Sequence, residues 1–206
     1  MSISVNSLTS ERRTVKRQNN RDAILDAARD VFAEIGYGGT TVRDIIRRTN
    51  LASGTFYNYF NSKEAVFNTL SDEIGSELRQ ILRDVRRRAT SFDGFIEAMF
   101  LTYFSYYANN RENYMLTSSN RGRAGMNEVM QGPQVRAGLA ELNDDIHLAI
   151  AEGVIPQLDV DFLTASLGGV AFSILDEMME REPLDPKAAA QFATRLFMFG
   201  VRGNRF

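Results

Sequence analysis

Apolar residues recur along this chain at helical spacing and nowhere at the sustained alternation of a strand. The first clear stripe is Ile24, Leu25, Ala28, Val31, Phe32 and Ile35, which predicts an amphipathic helix over residues 21–35, capped by Asn19 or Asn20. Gly36 follows and supplies a left-handed exit. Thr40 or Thr41 then caps a short helix over residues 42–49, with Val42, Ile45 and Ile46 inward and Arg43, Arg47 and Arg48 outward. Asn50 suits the turn that ends it, Leu51 and Ala52 cross that turn, and a third helix is predicted over residues 53–59. Ser62 caps a fourth, residues 63–89, striped by Val66, Phe67, Leu70, Ile74, Leu78, Ile81, Leu82 and Val85.

Helical patterning continues over residues 92–109, 110–116, 133–152, 161–181 and 186–201, with Pro156 and Pro183 marking joints. Residues 118–132 hold three glycines among polar residues and read as a loop or partly helical linker. Residues 1–19, polar and rich in Ser, Asn and Arg, read as a flexible basic arm. The expected class is all-α, with a small helical head over residues 20–66 and a larger helical body over residues 67–206.

Charge sharpens the division. Residues 10–63 carry ten lysines and arginines against six acids, and residues 64–206 carry fourteen against twenty. A basic head on an acidic body points to a polyanionic partner for the head. There is no cysteine, which excludes disulfides, thiolate zinc sites and thiol catalysis. There is one histidine, no G-x-S-x-G, no H-E-x-x-H and no phosphate-cradling glycine loop; the adjacent acids Asp144 and Asp145 diverge by about 100° on a helix. The expectation is a non-enzyme with no cofactor and no metal. The most apolar stretch, residues 162–175, is interrupted by Gly168 and Gly169 and flanked by Asp161 and Asp176, so no membrane span is expected. Arg12, Arg13, Lys16 and Arg17 are followed by no apolar run, so no secretory leader is expected, and a cytoplasmic location fits.

Three short helices with a tight turn between the second and third describe a helix-turn-helix, whose last helix lies in the major groove of double-stranded DNA. Ala52 and Gly54 are small where the two helices approach, and Ile45, Leu51 and Phe56 set their crossing. Residues 40–46 (TTVRDII) and 51–64 (LASGTFYNYFNSKE), with Ile24 to Phe32 and Gly36-Tyr37 before them, resemble the DNA-binding signature of the TetR (tetracycline-repressor-like) family over about residues 20–67. Two departures are visible: Asn50 stands where the family often has Gly, and Ala52 where it often has Ser. The resemblance implies phosphate contacts from Thr41 and Lys63 with Tyr59 beside them, and places Ser53, Thr55 and Tyr57 nearest the bases or their flanking phosphates. Lys63 also opens a helix, where backbone amides attract phosphate. Arg43 and Arg48 are either phosphate contacts or a solvated face, Phe60 is read as core, and the arginine arm either follows the minor groove or only solubilises.

For the body the resemblance implies a homodimer and a buried site for a small-molecule effector. The broad apolar faces of the last two helices make Leu163, Leu167, Val170, Ile174, Phe192 and Leu196 the candidate interface, an internal helix pair being the alternative. The aromatic helix suggests a pocket from Phe100, Tyr103, Phe104 and Tyr107 with Tyr114 and the lone His147, although such a stripe also serves as plain core. Arg121 and Arg123 either hold an anionic effector or belong to a solvated loop. The function expected is a repressor released from a palindromic operator by a small, largely hydrophobic effector. The rival readings are a helical adaptor without DNA affinity and an activator of the same family.

Overall fold

The computed structural model describes residues 5–118 and 132–203, and no strand occurs among them. Helix α1 (Val5–Gly39) is broken at Gly36, whose φ of 71° is a left-handed conformation that a side chain resists. Residues 5–19 continue this helix instead of forming the flexible arm that their polarity predicts. No glycine or proline interrupts residues 5–35, so nothing local stops helix propagation toward the N-terminus. Residues 11–19 are exposed.

Two short helices follow, α2 (Val42–Arg47) and α3 (Ser53–Phe56). The long α4 (Lys63–Arg88) and the aromatic α5 (Phe92–Asn109) come next, with Ser62 and Ser91 as their capping side chains. A short α6 covers residues 111–118. The candidate anion-binding Arg121 and Arg123 lie outside the described residues. After them come α7 (Pro133–Ala151), α8 (Val160–Met179) and α9 (Pro186–Gly203), the last interrupted at Gly200.

Ile24, Ala28 and Phe32 of α1 meet Ile45, Phe56, Val66 and Phe67 in the core of the head. Phe67 stands edge-on to both Phe32 and Tyr37, at ring separations of 5.6 and 4.8 Å. Buried Leu70, Ile74 and Leu78 carry the same core along α4 into the body, so one continuous helix serves both units. In the body α5 packs against α4, α8 and α9, while α7 lies against α4 and α8. Gly75 marks the closest crossing: a Cβ there would lie 2.7 Å from Cβ of Gln134 on α7.

By length and composition helix α8 is long and apolar enough to cross a membrane, with a mean hydropathy of 1.3 over its best window. Gly168 and Gly169 cap no break there, because a helix packed on neighbours tolerates them. One side of α8 buries Thr164, Leu167, Leu175 and Met178, while Phe162, Ala165, Gly169 and Ser173 face outward.

Candidate functional site

The head is assembled around two fastenings. Thr41 caps α2 reciprocally: its hydroxyl oxygen accepts from the Asp44 amide at 3.3 Å, and Asp44 Oδ2 accepts from the Thr41 amide at 2.9 Å and from its hydroxyl. Those hydrogen bonds, the hydroxyl's foremost, hold the Asp44 carboxyl below its ordinary range. The second fastening is Lys63. Its Nζ donates to the carbonyls of Tyr37 at 2.8 Å and Thr40 at 2.6 Å and lies 4.4 Å from the centre of the Tyr37 ring. The ammonium predicted to meet phosphate is therefore turned inward. It bonds two carbonyls just past the break in α1, and it ties α4 to the turn before α2.

Helix α3 is shorter than predicted. Ala52 caps it with no side-chain hydrogen bond. Beyond Phe56 the chain tightens into i to i+3 bonds, Asn58 N to Thr55 O at 3.2 Å and Tyr59 N to Phe56 O at 2.9 Å. Phe56 and Phe60 are buried, and Tyr57 stands 64% exposed, its ring edge-on to Phe56. Ser53 and Asn58 are exposed, and Thr55 is half-buried. Tyr59 is half-buried and its hydroxyl accepts from Asn20 at 3.3 Å, which directs it to α1. On α2, Arg43 and Arg47 are exposed one turn apart, whereas Arg48 is paired with Glu34.

The body contains an apolar cavity of about 160 Å³ between α4, α5, α7 and α8. Of the residues named from the sequence, Phe100 and Tyr103 line it, with Leu78, Leu82, Leu139 and Phe172 around them. The other candidates lie elsewhere. Phe104 is fully buried against Phe100, and Tyr107 packs on Tyr114 at 6.4 Å, neither reaching the lining. The Tyr114 hydroxyl donates to Asp176 at 3.2 Å. His147 is exposed, its Nδ1 3.0 Å from the Asn143 carbonyl on its own helix. The reason is rotational: α5 presents only one side to the cavity and turns the rest of its aromatic residues into the packing with its neighbours.

Sequence reasoning passed over the charged edge of this cavity. Arg79, Arg83 and Arg86, at i, i+4 and i+7 on α4, converge on Glu141 of α7. Arg79 Nε donates to Oε1 at 2.8 Å, Arg83 Nε reaches both oxygens at 3.0 Å, and Arg86 Nη1 reaches Oε2 at 3.2 Å. Arg83 above all, then Arg79 and Arg86, push the Glu141 carboxyl down to about 2 against the cost of burial. Asp145, also paired with Arg86 at 2.5 Å, is raised by burial instead. The i, i+4, i+7 spacing of the arginines was the available signal.

The candidate interface also shifts. Leu167 is buried and lines the cavity, so it cannot meet a second chain. Leu163, Val170 and Ile174 are partly buried against the core, and Leu196 is half-buried. Of the predicted set only Phe192 is exposed, at 43%. Phe162 of α8 and Phe199 of α9 are exposed as well, at 76% and 60%.

Against known proteins, residues 24–70 match the family described as bacterial regulatory proteins, tetR family. An uncharacterised HTH-type transcriptional regulator of Haemophilus influenzae is 28% identical over 105 residues, a stretch spanning half of this chain and about half the length of that relative. Among solved structures, the fatty acid degradation regulator FadR from Bacillus halodurans is 26% identical with a TM-score of 0.74, covering 88% of this chain and 96% of that one. The transcriptional regulator FadR from Bacillus subtilis, in complex with stearoyl-CoA, is 23% identical with a TM-score of 0.73, covering 87% and 98%.

Proposed function

We propose, from the match of residues 24–70 to the tetR family of bacterial regulatory proteins, that the chain is a homodimeric regulator of that family, released from a palindromic operator by a small, largely hydrophobic effector. The observation that carries this reading is helix α4. It begins at Lys63, which fastens the head, and reaches Arg79 and Arg86 at the edge of the cavity, so one rigid element of about 39 Å joins both sites.

In this reading Ser53, Thr55 and Tyr57 of the third helix meet the bases or adjacent phosphates, and Thr41, Arg43 and Arg47 hold the backbone. Lys63 and Tyr59 position these groups from within the head. Residues 20–66 read DNA and residues 67–206 hold effector and partner. Phe162, Phe192 and Phe199 form the centre of the dimer face, because exposed aromatic side chains on two adjoining helices are the usual core of an interface. Two heads about 34 Å apart read two half-sites of one duplex. An effector that favours another spacing shifts the population and frees the DNA. The apolar lining of the cavity suits a largely hydrophobic effector, and the two FadR structures, by their names and the stearoyl-CoA in one, favour one related to fatty acids.

Selection of bound duplexes from a random-sequence library by the purified chain tests the reading. A palindromic consensus is the expected result. Enrichment of no sequence, from protein stripped of small molecules, overturns it.

A further inference from the structure

The apolar cavity has one charged edge, and its charges do not balance. Arg79, Arg83 and Arg86 face Glu141 and Asp145, three cations against two anions. The Arg79 and Arg86 side chains are only 26% and 20% exposed, and a guanidinium removed from water calls for anionic acceptors. Glu141 serves all three with two oxygens: Oε1 is shared by Arg79 and Arg83, and Oε2 by Arg83 and Arg86. Each guanidinium carries five donors, so the cluster retains capacity for another carboxylate or phosphate. Glu141 ties α7 to three arginines of α4, beside the Arg86–Asp145 pair and the Arg79–Gln134 hydrogen bond between the same helices, which approach closely at Gly75.

Resting on the cavity as the effector site, we propose that its occupant is an amphiphile with one apolar chain and an anionic head, and that the head takes the place of Glu141 on Arg79 and Arg86. The apolar chain occupies the space among Leu78, Leu82, Phe100 and Leu139. The head arrives at the arginine edge, where Glu141 is the internal anion it displaces. Once released, Glu141 no longer binds α7 to α4, and α4 is the element that carries the head. A neutral head has no charge to exchange and leaves the tie in place.

Isothermal calorimetry on the full chain, with decanoate, 1-decanol and decanoyl-CoA as titrants, tests this without DNA. Wild type should bind decanoate or decanoyl-CoA roughly tenfold more tightly than decanol, as expected for a charge-assisted contact at a partly buried arginine. Preference for the free acid places a carboxylate on the arginines, and preference for the thioester places a phosphate there. Glu141→Gln should tighten the anions roughly tenfold and leave decanol unchanged, because the competing carboxylate is gone. Arg79→Gln should bring the anions down toward decanol; circular dichroism confirms that both variants are folded, and if Glu141→Gln is not, wild type and Arg79→Gln decide. Equal binding of decanol and the anions overturns the head chemistry while leaving the cavity as an effector site. Absence of binding by all three overturns both.

Discussion

Lys63 has one amine and two competing uses, phosphate outside the fold or carbonyls inside it. With Nζ at 2.6 and 2.8 Å from two carbonyls and over an aromatic ring, the inner use prevails. Lys63→Met should therefore destabilise the fold by about 2 kcal/mol, the scale of hydrogen bonds from a charged donor. Thermal denaturation followed by circular dichroism should show a fall of roughly 5 °C; an unchanged midpoint would return Lys63 to the surface. Thr41→Ala should cost about 1 kcal/mol through the lost reciprocal cap, measured in the same way. Tyr57 is the contrasting case. It is exposed and bonded to nothing that the head needs beyond its ring contact with Phe56, so Tyr57→Ala should leave the melting temperature within about 1 °C, as surface substitutions do.

At the scale of elements, hydrophobic spacing was a good guide wherever a helix has one buried side. The aromatic helix predicted over residues 92–109 is α5 with those limits, and the left-handed exit expected at Gly36 is present. Polar residues carry no such signal, so residues 5–19 gave no sign of continuing α1. The third helix starts at Ser53 as expected although Ala52 offers no capping oxygen, and it ends early because the chain tightens into i to i+3 bonds beyond Phe56. The cavity was half legible: Phe100 and Tyr103 reach it, while Phe104, Tyr107, Tyr114 and His147 do not, since spacing identifies the stripe of a helix but not which neighbour each residue meets. The Glu141 cluster joins residues 55–62 positions apart and no local pattern shows its partner. Two expectations belong to this crossing of α4 and α7. Gly75→Ala should fail to stabilise despite the better helix propensity of alanine, because its methyl would force Gln134 away; a raised melting temperature would show that α7 yields freely. The Glu141 carboxyl, held from 4.5 down to about 2, binds fewer protons in the native state than in the unfolded chain. Its contribution is complete above about pH 4.5 and lost as pH falls toward 2, so the loss of stability between pH 5 and 3 should be smaller in Glu141→Gln than in wild type.

At the scale of the whole molecule, α8 explains why interface and cavity were confused in the sequence. Its apolar residues surround the helix, so Leu167 on the inner side and Phe162 on the outer side look alike to any periodicity. The structure separates them, and the outer side makes the proposed dimer testable. Phe162→Asp with Phe199→Asp should convert a dimer to a monomer in sedimentation at micromolar concentration, whereas unchanged sedimentation would move the interface elsewhere. The central claim, that the exposed residues of the head read DNA sequence, is tested most directly by fluorescence anisotropy with the duplex enriched from the random library and a scrambled duplex of equal length. Wild type should prefer the enriched duplex by roughly a thousandfold, with affinity falling steeply as salt rises, and Tyr57→Ala should lose most of that preference while remaining folded. Equal binding of the two duplexes by wild type, or a full preference retained by Tyr57→Ala, would contradict it.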